Sequence, residues 1–387
     1  MYDLSKVRCC LYRGGTSRGL FFHAHDLPPD FEQRKGMFLA LMGSPDIRQI
    51  DGLGGATSHT SKVVVMSPSK EEGIDVDYDF YQVGIETSYI GRQGMCGNLL
   101  SAAGLFAVDE GLVAAKEPVT VVSVRNTNTG KRFLVHIPVK EGRSVTQGTH
   151  RISGVARPGA CVIQEFIDPG GAVTGKLLPT GKAEDTIRVK DLRYRVSIVD
   201  ASNPLAVMLL EDAQLSGKEK IPELNSNQEL LDRLEAIRGE AARLCGFVQE
   251  ASEARITSAA LPVLALVGRP VSYTALSGQA VDASEMDLRL CMLSMQRFHQ
   301  SIAGTAAICL AAAASIPGSL VNRIYQPSPS RPAVRIGHPS GVTEARVEAE
   351  WDGPPEETRI RKVVVSRTAR RLMEGIAYYP QPTQPNP

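Results

Sequence analysis

The stretch "GRQGMCGNLLSAAGLF" (residues 91–106) places Cys96, Gly97 and Asn98 directly ahead of a run that is apolar on nearly every face. A helix without a polar face must be buried all round. A second run of the same kind, "IAGTAAICLAAAASI" (302–316), lies in the other half of the chain and stops at Pro317-Gly318. Two fully buried helices, one in each half, predict two similar domains, each a sheet wrapped around a central helix. The strand candidates at 62–66, 118–124, 132–139, 205–210, 343–350 and 360–366 fit this α+β reading, because they are rich in β-branched residues and mostly alternate. They favour long antiparallel sheets and lack the βαβ rhythm of a doubly wound fold.

Two other helices are amphipathic. One starts at Asp30 as N-cap and stops at Gly43, and the other runs through "SNQELLDRLEAIRGEAARLCG" with Leu230, Leu234, Ile237, Ala241 and Leu244 at helical spacing. Charge rises and the apolar pattern breaks over residues 180–195, where a linker is expected. The expected division is an N-terminal domain over 1–187, completed by the segment 366–380, and a C-terminal domain over 188–365. The Pro-rich residues 381–387 read as a disordered tail.

A chain of 387 residues with 43 Lys+Arg against 42 Asp+Glu has a formal charge of +1. It presents no global field for nucleic acid or an anionic membrane, so an anionic ligand must be held by a local site. Seven cysteines without CxxC spacing read as free thiols in a reducing compartment and argue against zinc. The N-terminus has no apolar signal segment, and 302–316 falls short of the roughly 20 residues a membrane span needs. A soluble cytoplasmic protein is expected.

Several loops carry candidate chemistry, each beside a plainer reading. "RGGTSRG" (13–19) suits an anion-binding concavity or an ordinary hairpin turn, and it lacks the P-loop pattern. Lys62 follows the Gly/Ser/Thr-rich "IDGLGGATSHTS" and enters an apolar strand; a desolvated lysine is a candidate general base, whereas most lysines face solvent. Cys96 and the N–H groups of Gly97, Asn98 and Leu99 sit at the positive end of a helix dipole, which favours a thiolate and a bound anion. Cysteine is equally an ordinary core residue. Gly304-Thr305 could open the second helix in the same way. His299 is either structural or catalytic, and "VRIGHPSGV" (334–342) is a polar loop or a plain β-turn.

Together these stretches resemble the PrpF family of allylic isomerases. The resemblance runs through "RGGTSRG", "MGSPDIRQIDGLGGATSHTSKV", "MCGN", "GKLLPTG", "GTAAICLAAAASIPG", "RIGHPSG" and "SRTARRLMEG", in the family's order. It implies the diaminopimelate-epimerase-like fold, with two β-barrel-like domains each wound on a central helix and the active site in the cleft between them. Members move a double bond, or exchange cis and trans isomers, in small polycarboxylates, without a metal or organic cofactor. The family's essential lysine falls on Lys62 and its active-site cysteine on Cys96. The candidate substrate-binding set is Thr16, Ser17, Arg18, Ser61, Gly97, Asn98, His299, Thr305, His338, Ser340 and Gly341.

Arg18 stands where the motif usually has lysine, Val263 where many relatives carry lysine, and Gly304 and Ala306 depart from a common "VTGA". The expected partner is a di- or tricarboxylate substrate, with a homodimer in prospect. Aconitate is placed slightly ahead of 4-oxalomesaconate and 2-methylaconitate as substrate. The alternative of another class is a non-catalytic accessory to an aconitase-type enzyme. The epimerases of this fold need two opposed cysteines, and here "AGTAA" opens the second helix without one; Cys309 lies deeper and reads as core.

Overall fold

The structure is a computed structural model and describes residues 4–327, 332–351 and 353–380, so the tail at 381–387 lies outside the described residues. In the first half the main strands are β1 (Leu4–Gly14), β2 (Ser17–His23), β3 (Lys62–Pro68), β4 (Val76–Val83), β5 (Val119–Asn126), β6 (Arg132–Lys140) and β7 (Val162–Ile167). In the second they are β8 (Asp185–Val189), β9 (Leu192–Ala201), β10 (Asn203–Leu209), β11 (Val263–Gly268), β12 (Leu288–Ser294), β13 (Ala333–His338), β14 (Gly341–Glu350), β15 (Arg359–Arg367) and β16 (Ala369–Pro380). The principal helices are α1 (Phe31–Met42), α2 (Gly97–Asp109), α3 (Gln228–Leu244) and α4 (Gly304–Ala314).

Pairing runs β16-β1-β2-β3-β4-β5-β6-β7 in one sheet region and β8-β9-β10-β11-β12-β13-β14-β15 in the other. The sequence of parallel and antiparallel neighbours is the same in both. In each, the two parallel steps enclose a helix: α1 and α2 in the first region, α3 and α4 in the second. Antiparallel pairing of β7 with β15 joins the regions into one sheet. The halves are a structural repeat.

Each sheet wraps a helix that has no polar face. Helix α2 touches β1, β2, β4, β5, β6, β7 and β16, and α4 touches β9, β10, β13, β14 and β15. All of α2 from Gly97 to Val108 and all of α4 are buried. The amphipathic helices lie outside. Helix α1 is capped by Asp30, which accepts from Gln33 N at 2.9 Å, and ends at Gly43 with φ 72°. Helix α3 is capped by Asn227, one residue later than the run from Ser226 suggested.

The 180–195 linker is corrected. It contains β8 and the start of β9, which form a hairpin with Val189 opposite Leu192. Buried Ile187 and Tyr194 alternate with exposed Arg188 and Arg193, so the rise in charge marks the outer face of an edge hairpin. The 187/188 boundary therefore cuts β8. The 365/366 boundary cuts β15, which pairs with both β14 and β7. Strand β16 returns to pair along the whole of β1.

The N-termini of α2 and α4 meet backbone to backbone. A Cβ at Gly304 would lie 2.9 Å from Asn98 N and from Gly97 C, and one at Gly97 would lie 3.1 Å from Thr305 N. Added carbon has no flexible neighbour to displace here. Gly304→Ala is expected to destabilise the protein by about 1–3 kcal/mol, although alanine is the better helix former. Gly97→Ala should cost less. Thermal midpoints check this, and a Gly304→Ala protein as stable as the parent would contradict the contact.

Candidate active site

Because the two helices abut at glycines, their first turns point their unpaired N–H groups and positive dipole ends at one place. Neither N-cap, Cys96 or Ala303, offers a side-chain cap to its own helix. A cavity of about 70 Å³ lies at this junction, lined among others by Ser17, Lys62, Phe80, Gln82, Cys96, Gly97, Asn98, Asn203, Val263, Ser294, His299, Ala303, Gly304 and Thr305. Among the described residues no carboxylate lines it. The described residues of its walls present N–H donors, hydroxyls and an amine without a negative charge, so the cavity suits an anion.

Strand alternation selects which side chains enter. Val64 and Met66 of β3 pack in the core around α2 while Val63 and Val65 pack against α1, so Lys62 shares the α2 face. The same parity brings Ser17 inward from β2 and Gln82 from β4. In the second half it brings Asn203, Val263 and Ser294 inward from β10, β11 and β12. Under the repeat, Lys62 answers to Val263, Gln82 to Ser294 and Cys96 to Ala303. The amine and the thiol come from the first half, and the second half adds His299.

Lys62 is 9% exposed, and its Nζ donates to Gln82 Oε1 at 2.5 Å and stands 5.0 Å from the centre of the Phe80 ring. Burial lowers its pKa below the usual 10.5, opposed by the charge a Cys96 thiolate would bring. Gln82 is held rigidly: its Nε2 donates to the carbonyls of Ser58 at 3.1 Å and Ser61 at 3.0 Å, which turns its oxygen toward the amine. An amide orients the amine without the full negative charge that would keep it protonated.

His299 is buried, and its Nδ1 accepts from Ser301 N at 3.0 Å, which leaves Nε2 to carry the proton of the neutral ring. Its ring lies 4.6 Å from that of His59. Burial holds His299 well below the ordinary histidine value, and burial with the nearby Lys62 pushes His59 down to about 4. Cys96 is buried at the N-terminus of α2, and its carbonyl accepts from Tyr78 OH at 3.0 Å. Asn203 clamps the segment before it, accepting from Met95 N and donating to Met95 O, each at 3.0 Å.

The structure brings Ser17, Lys62, Cys96, Gly97, Asn98, His299 and Thr305 to this cavity. Thr16 lines a larger one of about 640 Å³, which Asn98 also borders, and it accepts from Asn98 Nδ2 at 3.0 Å. Five expected residues line neither cavity. Arg18 has the opposite strand parity to Ser17, and its guanidinium packs by Gly55 and Thr60. Ser61 is fully buried and accepts from Gln49 Nε2 at 2.7 Å, so it serves the loop that holds Gln82. His338 is buried with Nε2 3.0 Å from Thr343 Oγ1, and burial pushes its pKa down to about 3. Ser340 Oγ donates to the Gln300 carbonyl, and Gly341 at φ 128° abuts Ser153. The 337–341 loop thus forms structure outside the cavity. Gln82, Asn203, Ser294 and His59 were not anticipated; only the parity of their strands and the repeat could have singled out the first three.

The family model described as "PrpF protein" matches residues 4–380. The chain belongs to the PrpF family. It is 39% identical to a 3-methylitaconate isomerase of Eubacterium barkeri, over 98% of each chain. It is 37% identical to a 2-methyl-aconitate isomerase of Shewanella oneidensis, over 97% of this chain and 98% of that one, and 34% identical to a (4E)-oxalomesaconate Delta-isomerase of a Novosphingobium strain, over 97% and 98%. The crystal structure of a methylitaconate-delta-isomerase superposes over the full length of both chains with a TM-score of 0.78 at 37% identity. A hydroxyproline epimerase from Agrobacterium vitis, at 11% identity and a TM-score of 0.55, shares the fold over 97% of this chain and 92% of its own. This PrpF protein is accordingly an isomerase with the epimerase-like two-domain fold. No helix among its described residues is long and apolar enough to cross a membrane.

The amide at position 82 should set the working pH of Lys62. Gln82→Glu places a carboxylate against the amine and raises its pKa, so the rise of kcat/KM with pH should move to higher pH, leaving activity at neutral pH reduced by tenfold or more, on the order of one pKa unit. A pH–rate profile superimposable on the parent's would contradict this role.

Proposed function

We propose that this isomerase shifts a double bond, or exchanges cis and trans isomers, in a small polycarboxylate, with Lys62 as the base that removes and returns the proton. The observation that carries the reading is a buried lysine, its pKa lowered by burial, beside two converging helix N-termini in a cavity without acidic groups among the described residues. Relatives whose names carry methylaconitate, methylitaconate and oxalomesaconate support the substrate class.

The chemistry follows from the charges. The neutral Lys62 amine takes a proton from the carbon next to the alkene, and the C–H electron pair enters the conjugated system. The resulting dienolate carries its charge on carboxylate oxygens. N–H groups of Gly97, Asn98 and Thr305 face that charge as it develops and need no reorganisation to do so. The protonated amine then returns its proton two carbons away, which transposes the double bond and restores the neutral base. Return to the original carbon after rotation about the transiently single bond exchanges cis for trans. Cys96 stands at the same helix terminus as a wall of the pocket or a second proton carrier.

The repeat supports a one-sided mechanism. A racemase needs a proton carrier on each face of its centre, whereas Val263 and Ala303 stand where Lys62 and Cys96 would be mirrored. An aconitate-type tricarboxylate is the substrate we favour, with aconitate and 2-methylaconitate first. The methylitaconate isomerase match at 39% identity supports a dicarboxylate as the second reading.

Proton NMR in D₂O with cis-aconitate, trans-aconitate, 2-methylaconitate, methylitaconate and oxalomesaconate tests the proposal. The parent protein should isomerise at least one of them with deuterium entering at an allylic carbon. Lys62→Met should lower turnover by about 10³-fold or more, in the range that loss of general base catalysis produces. Cys96→Ser should retain measurable turnover. Near-normal turnover by Lys62→Met would overturn the assignment of the base.

A further inference from the structure

The block "SRTARRLMEG" contains a buried cation that the proton transfer does not use. Arg367, at the end of β15, is 4% exposed. Its Nε donates to Asn98 Oδ1 at 3.0 Å and its Nη1 to the Ser366 carbonyl at 2.8 Å. Its Nη2 is buried and has no hydrogen-bond partner among the described residues. None of the ion pairs among the described residues includes Arg367. A guanidinium taken out of water without a carboxylate or a full set of acceptors is costly, and proteins keep one where an anionic ligand completes it.

The surroundings are polar and of mixed charge. Arg367 lines one end of the cavity of about 640 Å³ with Thr16, Asn98, His150 and Arg151, while Glu285 and Glu344 also line it, and His150 Nε2 too lacks a partner among the described residues. Arg335, another cation of this cavity, is already committed to Asp287 at 2.6 Å. Glycine is required at position 15: at φ 53°, a Cβ there would lie 2.4 Å from Asn98 Oδ1 and 3.1 Å from Arg367 Cδ. The tight β1–β2 turn thereby presses Asn98 and the guanidinium together. Asn98 borders both cavities, so the unpartnered Nη2 of Arg367 sits one side chain away from the N–H groups at the start of α2.

We propose that Arg367 is a substrate-binding residue whose free Nη2 takes the carboxylate of a tricarboxylate substrate that lies farthest from the reacting carbons, and so selects tricarboxylates over dicarboxylates. This rests on the polycarboxylate isomerase reading. Asn98 links the two subsites: its side chain orients the guanidinium while its backbone N–H serves the cavity of Lys62. A guanidinium suits this task, since Nε and Nη1 can fix its plane on Asn98 and Ser366 while Nη2 remains to donate to a carboxylate.

The test compares the intact parent, Arg367→Gln and Arg367→Lys on 2-methylaconitate and cis-aconitate against methylitaconate, with thermal midpoints recorded for each protein. The expected result is a KM for the tricarboxylates raised about tenfold to a hundredfold in Arg367→Gln, the range for a lost charge-assisted hydrogen bond, with kcat much less changed. Methylitaconate should be affected less than threefold, and Arg367→Lys should fall between parent and Arg367→Gln. If Arg367→Gln does not fold, Arg367→Lys decides by the same comparison. Equal losses on both substrate classes, or a parent that turns over only the dicarboxylate, would overturn the proposal while leaving the isomerase reading intact. A parent inactive on every substrate would instead defeat the isomerase reading, and this assignment with it.

Discussion

The backbone contact between Gly97 and Gly304 is the constraint on which the rest of the molecule depends. Two helices enter the site from opposite halves, and only the absence of a Cβ on each lets their first turns touch. That approach concentrates the free N–H groups of two helix ends at one point, where a single terminus would provide half the field. The all-apolar bodies of α2 and α4 follow from the same arrangement, because a helix that delivers its N-terminus to the middle of the molecule must run through the core of its own sheet. Burial of the helices also dries the site. Lys62, Tyr78 and His299 are buried there, and each is pushed toward its neutral form.

Near-exact repetition of topology makes the chemical differences between the halves informative. Strand senses and helix crossovers match step for step, yet Lys62, Gln82 and Cys96 have Val263, Ser294 and Ala303 as counterparts. The second half contributes backbone N–H groups, Thr305, Asn203 and His299. In the proposed reaction one half handles the proton while both hold the negative charge that its removal creates. The fold is shared with a hydroxyproline epimerase at 11% identity.

Much of the fold was legible because two residue patterns leave few alternatives. Apolar runs at 97–109 and 304–314 have no face that tolerates water, and the alternating β-branched strands must cover them. Asp30 and Gly43 mark the ends of α1 where their side-chain chemistry and φ require. The 180–195 segment was misread because an edge hairpin carries charge on its outer face as a linker does, and only Ile187 and Tyr194 betray the pairing. Strand parity accounts for most of the site: Lys62 and Ser17 point inward, whereas neighbouring Ser61 and Arg18 point away. His338 and Ser340 looked like ligand groups, but their polar atoms are consumed by Thr343 and Gln300. Gln82 and Arg367 gave no local signal, since an amide in "DFYQV" and an arginine among arginines become distinctive only when the fold buries them beside Lys62 and Asn98.

Burial in the folded protein lowers the pKa of Lys62, which makes its neutral amine available as a base at lower pH than that of an exposed lysine. The most direct measurement is a ¹³C NMR titration of protein labelled at lysine Cε, with the Lys62 signal identified by its loss in Lys62→Arg. This signal should titrate clearly below the ordinary lysine value of about 10.5. A Lys62 signal that titrates at or above that value would contradict it.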